Sequence, residues 1–121
     1  MARTVSAAVT LDSSSSPAAD QAYTLFEVPP KNTGLWTMMY VISLEGNETP
    51  KVQWYDKTTN TTRNVLASKN LGVGEYVLLS DAVVALQEGD KIIVRNSGTT
   101  YGVTYIATIE LRPAEAIQFH S

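Results

Sequence analysis

Apolar and polar residues alternate with a period of two along much of this chain, which is the pattern of β-strands with one buried face. The clearest alternation covers residues 101–111, where every second residue is apolar and the residues between them include Thr104, Thr108 and Glu110. We predict a half-buried antiparallel strand there. Shorter strand patterns cover residues 21–28, 51–57, 65–67, 75–80 and 90–95.

Residues 35–45 form the longest strand pattern in the first half of the chain, and both of its faces are largely apolar. Period-two spacing places one set on a common face: Leu35, Thr37, Met39 and Val41. A strand with two apolar faces is an inner strand, or its second face meets another subunit. We therefore predict a subunit interface at these four residues. A turn at residues 46–48 predicts a hairpin with the next strand, residues 51–57.

The most recognisable stretch is an apolar run, a tight turn and a strand over residues 83–95. Gly89 can adopt a positive φ, and the Asp90 carboxylate can accept hydrogen bonds from turn amides. We expect Leu86 to plug the core and Gly89-Asp90 to turn the chain into an inner strand.

Residues 4–11 are rich in Val, Thr and Ala, and a polar stretch with four consecutive serines follows them. This composition predicts an extended N-terminal arm and Ser-rich linker over residues 1–20. The β-sandwich domain is expected at residues 21–112 and a C-terminal tail at 113–121.

The chain as a whole is predicted to be all-β, an antiparallel β-sandwich of jelly-roll type with about eight strands and an extended N-terminal arm. Only residues 113–119 give a weak helical pattern. At 121 residues the chain has the length of one domain with its own core.

Composition excludes several classes of function. The formal charge is −3 and the nine Lys and Arg residues are scattered, so neither nucleic acid nor membrane is expected as a partner. No cysteine is present, which rules out disulfides and thiolate chemistry and favours assembly in a reducing cytosol. The N-terminal residues lack the apolar core of an export signal.

Catalytic chemistry is not indicated by the remaining residues. His120 is the only histidine and lies next to the C-terminus, so histidine-based triads and multi-histidine metal sites are not expected. A carboxylate pair of Glu45 and Glu110 is possible, but structural pairing with Lys51 or Arg112 is favoured. We predict no catalytic residue, no metal and no cofactor.

Aromatic residues offer the main alternative, a sugar-stacking surface. Trp36, Tyr40 and Tyr105 are in phase with apolar neighbours, which favours core or interface positions. Trp54 and Tyr55 point to opposite faces of one strand, so at most one of them lies in the core and the other marks a contact surface. Trp54 or Tyr55, with Tyr101, is therefore a candidate exposed aromatic contact.

The sequence Gln53-Trp54-Tyr55-Asp56 before a Thr/Asn-rich turn, and the later Leu86-x-x-Gly89-Asp90-x-Ile92-x-Val94, resemble small accessory virion proteins of tailed bacteriophages. That group includes capsid cement (decoration) proteins and small tail-associated sandwiches. The resemblance covers about residues 50–111 and carries over no catalytic residue.

This resemblance implies a non-enzymatic protein that binds and stabilises an assembled capsid. Its partners would be the major capsid protein and other copies of itself, as a trimer at local three-fold positions. It would lie on the capsid surface of the virion after synthesis in the cytoplasm of a bacterial host. The arm residues Thr4, Val5, Val9 and Leu11 would contact the shell or a neighbouring copy by adding a strand to a sheet edge. The alternative is a tail-associated module that binds carbohydrate or a host receptor; a glycan is a partner only there.

Overall fold

The computed structural model of the chain describes residues 3–11, 22–44, 48–66, 70–80, 84–96 and 102–113. These residues form nine β-strands in two antiparallel sheets that pack face to face, which confirms the predicted β-sandwich. The strands are β1 (Arg3–Leu11), β2 (Tyr23–Glu27), β3 (Asn32–Ser43), β4 (Pro50–Asp56), β5 (Thr61–Leu66), β6 (Tyr76–Leu79), β7 (Val84–Leu86), β8 (Lys91–Asn96) and β9 (Val103–Pro113).

The larger sheet, called sheet A, has the order β1-β9-β3-β6, and β7 also pairs with β3. The strand β7 lies beside Gly34, Leu35 and Trp36, whereas β6 lies beside the later part of β3, from Met39 to Ile42. The smaller sheet, called sheet B, has the order β2-β8-β4-β5.

Successive strands often change sheets, and one of the sequence interpretations fails for this reason. The strand β3 lies in sheet A and β4 lies in sheet B, so the predicted hairpin between them is wrong. A turn composition shows only that the chain reverses; whether the next strand pairs or crosses over depends on long-range packing. A hairpin does join β4 to β5, through residues 57–60, where Asn60 has a φ of 54°.

The core lies between the two sheets and is built from alternate residues of the long strands. Sheet A contributes Trp36 from β3 and the alternating apolar residues of β9, and sheet B contributes Val52, Ile92 and Val94. Leu86 is fully buried and contacts this cluster, as expected from the sequence. The alternation predicted for β9 is confirmed, since Val103, Tyr105, Ala107, Ile109 and Leu111 are all buried.

A β-bulge in β3 overturns the predicted subunit interface. Trp36 lies opposite Ile109 and Met38 lies opposite Thr108, so Thr37 is an extra residue that changes which face follows it. Met39 and Val41 are fully buried in the sandwich core and cannot contact another subunit. Leu35 and Thr37 are only partly buried. The four residues therefore do not share one exposed face.

The N-terminal segment is extended, but it belongs to the sandwich. All nine residues of β1 pair with β9, from Arg3 opposite Leu111 to Leu11 opposite Val103. Thr4 is exposed, whereas Val5 and Val9 pack against the core and Leu11 is buried. A separate arm at residues 3–11 is therefore wrong, because the small and β-branched residues match the pattern of β9. The predicted linker lies outside the described residues, as does the tail apart from Pro113.

The corner between β7 and β8 is held by one buried carboxylate. Gly89 has a φ of 85°, and the Asp90 amide donates to the Gln87 carbonyl over 3.0 Å. The Asp90 carboxylate accepts hydrogen bonds from the amides of Gln87 and Lys57, both at 3.0 Å, and from the Trp54 indole nitrogen at 3.1 Å. The predicted turn is confirmed, and Asp90 also ties it to the β4–β5 hairpin.

Candidate functional site

The outward side of sheet A carries a continuous apolar surface. Two rows cross the sheet there: Ile106, Tyr40 and Leu78 lie side by side on β9, β3 and β6, and Ile42 lies next to Tyr76. Leu44 follows β3 directly, and its amide donates to the Gly102 carbonyl over 3.0 Å. We call this surface the apolar face; it consists of Tyr40, Ile42, Leu44, Tyr76, Leu78 and Ile106.

Three of these side chains are substantially exposed. The exposed fraction is 60% for Tyr76, 52% for Leu78 and 45% for Leu44. The rings of Tyr40 and Tyr76 contact each other, with centroids 5.6 Å apart and planes tilted by 39°. The residues of the apolar face project from neighbouring paired strands, and the two tyrosine rings support each other. An exposed apolar surface of this kind is a candidate site of contact with another macromolecule.

Charged groups lie at one margin of sheet A's outer side. Glu110 lies opposite Leu35, and it accepts a hydrogen bond and ion pair from the Arg112 guanidinium at 3.0 Å. This confirms the expected structural pairing of Glu110 with Arg112. Glu45, the other member of the possible carboxylate pair, lies outside the described residues.

The outward side of sheet B is polar by contrast. Gln53 donates to Asn64 over 3.1 Å and accepts from Arg95 over 3.1 Å. The Lys91 ammonium lies 5.6 Å from the centre of the Tyr55 ring. The two outer faces therefore differ in chemistry, and sheet A has the one suited to burial against a partner.

The predicted aromatic contacts are divided between scaffold and surface. Trp54 packs against the core, its indole nitrogen is bonded to Asp90, and the Arg63 guanidinium lies 5.2 Å over its ring. Tyr55 is on the opposite face, as expected, and its hydroxyl donates to Asn60 over 2.6 Å. Tyr101 lies outside the described residues.

Sequence reasoning missed the members of the apolar face that lie outside β3. Residues 76–79 are four consecutive apolar residues with no polar alternation, which was the available signal for Tyr76 and Leu78. Ile106 is the one large apolar residue among the outward positions of β9. The general hypothesis that the second face of β3 meets another molecule stays open, with Tyr40 and Ile42 in place of Met39 and Val41.

A buried carboxylate was also missed. Glu48 is fully buried, and the Asn96 side-chain amide donates to it over 2.6 Å. Burial, with a smaller contribution from the Glu48 charge, raises the pKa of Tyr105 far above its usual range. The Tyr105 hydroxyl donates to the Arg95 carbonyl over 2.6 Å. Because Glu48 and Tyr105 are shielded from solvent, they support the interior and do not offer a site for a substrate.

Asp56, in the β4–β5 hairpin, is another carboxylate with several partners. Desolvation raises its pKa, but hydrogen bonds from Thr59, Arg63 and Thr58 outweigh it and leave the pKa below its ordinary value. An ionised turn carboxylate held by its neighbours stabilises the hairpin and lacks the raised pKa of a general acid.

Two further features bear on the class of protein. The described residues contain no group of three or more His, Cys, Asp or Glu side chains placed to bind a metal ion. The described part of the chain has no α-helix of the length and hydrophobicity that crossing a membrane requires.

Comparisons with known proteins find similar folds only. No protein-family model matches the sequence. No curated protein matches it either. A structure of the infectious bursal disease virus Gx strain superposes with a TM-score of 0.58 and 13% identity, over 95% of this chain and 32% of the viral chain. A mutant VP2 protein of the same virus, described as derived T=1 particles, gives a TM-score of 0.54 and 12% identity, over 94% of this chain and 32% of VP2.

A cellular protein has a similar fold. The Drosophila NLP core, described in terms of pentamer formation and histone binding, gives a TM-score of 0.53 and 16% identity, over 89% of this chain and 99% of the NLP chain. The chain thus spans about a third of the viral chains and nearly all of the NLP core. At these identities the likeness shows the β-sandwich fold alone.

Proposed function

We propose that this protein is a non-enzymatic structural component of a virion, a cement (decoration) protein of a tailed bacteriophage that binds and stabilises the assembled capsid. The apolar face carries the proposal. It is a large exposed apolar surface on a sandwich whose fold resembles that of a viral particle protein. The resemblance of residues 50–111 to accessory virion proteins supports the same conclusion.

The apolar face is the surface proposed to meet the major capsid protein. Burying the exposed part of Tyr76 and Leu78 contributes about 1 to 1.5 kcal/mol for each side chain, since each is roughly half exposed. One such contact is weak, but copies that contact one another on a fixed array of sites bind more tightly together than one copy alone. The trimer at local three-fold positions is proposed for the shell-bound state only, where the symmetry of the shell brings the copies together.

Binding to capsids that lack the protein tests this proposal. The double variant Tyr76→Ser with Leu78→Ser is expected to weaken binding by about 30- to 150-fold, because it removes the two most exposed side chains of the apolar face. Tyr55→Ser is the matched control, since it removes a tyrosine from the outer face of sheet B. Both variants are checked for an intact fold by thermal unfolding. Decoration of capsids by the double variant at normal occupancy would contradict the proposal.

The position of the protein in purified particles separates the cement function from the tail alternative. A copy number that follows the number of capsid subunits supports the shell, and a few copies per particle support the tail. In that alternative we propose Tyr55, with Tyr101, for carbohydrate binding, since Trp54 is held by Asp90 and the core. Loss of particle or glycan binding in Tyr55→Ser, with normal binding by the double variant, would favour the tail module.

A further inference from the structure

The strand β1 forms one edge of sheet A. Among the described strands only β9 pairs with it, so its other side faces away from the sheet. The strand has nine residues and extends for about 30 Å. A long edge of this kind presents a row of backbone donors and acceptors to another chain.

Within the part of the chain that the structure describes, the other edges of the sandwich are protected, and β1 is not. The strands β6 and β7 are four and three residues long. Register shifts interrupt β2 and the pairing of β4 with β5, and Pro29-Pro30 follows β2. In β1 the pairing has no register shift, no proline or lysine is present, and Arg3 at the end is the one charged residue. Short strands, bulges, prolines and lysines are the usual defences of an edge.

The inner side of β1 is also incompletely covered. Val5 and Val9 are partly buried, whereas the residues opposite them on β9, Ile109 and Tyr105, are fully buried. A strand added beside β1 would cover the remaining apolar area of both valines.

We propose that β1 pairs with β1 of a second copy of this chain, in antiparallel orientation about a two-fold axis, to form one sheet continuous across the dimer. In an antiparallel sheet, side chains directly opposite each other lie on the same face. Under two-fold symmetry this holds only if the axis passes between the same residue of the two copies, so that this residue lies opposite its own equivalent. Placing Ala7 there gives the longest overlap. Val5 then lies opposite Val9, Ser6 lies opposite Ala8, and no like charges meet.

This pairing concerns the free protein and does not depend on binding to a shell. It uses the edge of sheet A and leaves the apolar face uncovered. Failure of the pairing in solution therefore says nothing about capsid binding, and a defect in capsid binding leaves the solution mass unchanged.

Charge substitutions at Ser6 and Ala8 test the pairing directly. Both residues are exposed, and their neighbours on β9, Thr108 and Ile106, are uncharged. The variant S6K/A8K places two lysines opposite two lysines across the axis, whereas S6E/A8K places glutamate opposite lysine. Light scattering and sedimentation from about 1 to 500 µM should give a mass of two chains for the wild type. We expect S6K/A8K to raise the dimer dissociation constant by about tenfold or more, and S6E/A8K to restore dimerisation.

Single cysteines test the register, because the natural chain has none. Under mild oxidation a mixture of the S6C and A8C variants should form a disulfide dimer, while each variant alone should not. Crosslinking of S6C with itself, or of A8C with itself, would overturn the register centred on Ala7.

Other outcomes overturn the pairing as a whole. These are a wild-type mass of one chain over the full concentration range, or a wild-type oligomer that S6K/A8K does not weaken. A three-chain mass that is the same in all variants would likewise exclude β1 pairing. If S6K/A8K does not fold, the mass of S6E/A8K and the disulfide between S6C and A8C test the pairing in its place.

Discussion

Removing the Asp90 carboxylate should destabilise the whole sandwich. Asp90 is fully buried and accepts three hydrogen bonds, from the amides of Lys57 and Gln87 and from the indole of Trp54. These donors come from three separate segments: the β4–β5 hairpin, the β7–β8 corner and β4 itself. In Asp90→Ala all three donors lose their acceptor.

The size of the effect follows from those three bonds. A donor left without its acceptor costs about 1 to 3 kcal/mol when buried, and Lys57 and Gln87 are exposed residues whose amides water can partly reach. We therefore take about 1 to 1.5 kcal/mol for each bond and expect the free energy of unfolding to fall by about 3 to 4.5 kcal/mol. That is a large fraction of the roughly 5 to 15 kcal/mol typical of a domain.

Urea unfolding followed by tryptophan fluorescence measures this loss, since Trp36 is fully buried. The near-isosteric Asp90→Asn retains one oxygen and should lose less stability than Asp90→Ala. Asp56→Ala is the matched control: it also removes a carboxylate that accepts several turn hydrogen bonds, but in the β4–β5 turn, and should cost markedly less. An Asp90→Ala variant within about 1 kcal/mol of the wild type, with an unchanged denaturant slope, would refute the reasoning.

Two further changes test the scaffold. Gly89→Val should lower the thermal midpoint strongly and reduce binding only through folding, because φ is 85° and an added Cβ would meet the Lys57 side chain. Gly74→Ala is the control, since its φ is 75° but no atom lies within 4 Å of the added Cβ, and equal midpoints for the two variants would contradict the argument. In the folded protein the raised pKa keeps the Tyr105 hydroxyl protonated, whereas in the unfolded chain this hydroxyl ionises near pH 10. The stability that the protonated hydroxyl contributes is therefore fully present below pH 10 and falls above it. Between pH 10 and 11.5 the wild type should lose stability relative to Tyr105→Phe, with a slope that rises from about 0.7 towards about 1.4 kcal/mol per pH unit, and parallel stability curves would contradict the assignment.

The sandwich and its corner were accessible from sequence because their determinants are local. The strand β9 alternates without interruption, and Gly89-Asp90 has the backbone freedom and the acceptor that a turn requires. These features predicted a strand, a turn and a core residue at Leu86, and all three are present. Their partners in other segments, such as Trp54 for Asp90, were not predictable from local pattern.

The face of β3 could not be assigned from sequence because of one extra residue. Period-two counting is correct within each half of the strand, but the bulge at Thr37 changes the face between Trp36 and Met39. Nothing in the local composition marks that position, since the register is set by pairing with β9. Long-range pairing also decides the role of β1. Its small residues are compatible with a free arm and with an edge strand, and only the pairing with β9 distinguishes the two.

The bulge in β3 and the pairing of β1 with β9 create the two surfaces proposed to be functional. The bulge turns Tyr40 and Ile42 outward, where they meet Tyr76 and Ile106 from strands remote in sequence and form the apolar face. Pairing of β1 with β9 converts the expected arm into an open edge that is fixed in position. An edge held by the sheet binds a partner strand without the loss of backbone entropy that ordering a free arm requires, about 1 to 2 kcal/mol per residue. The two proposals therefore assign separate surfaces, the apolar face to the shell and the preformed β1 edge to a second copy of the free protein.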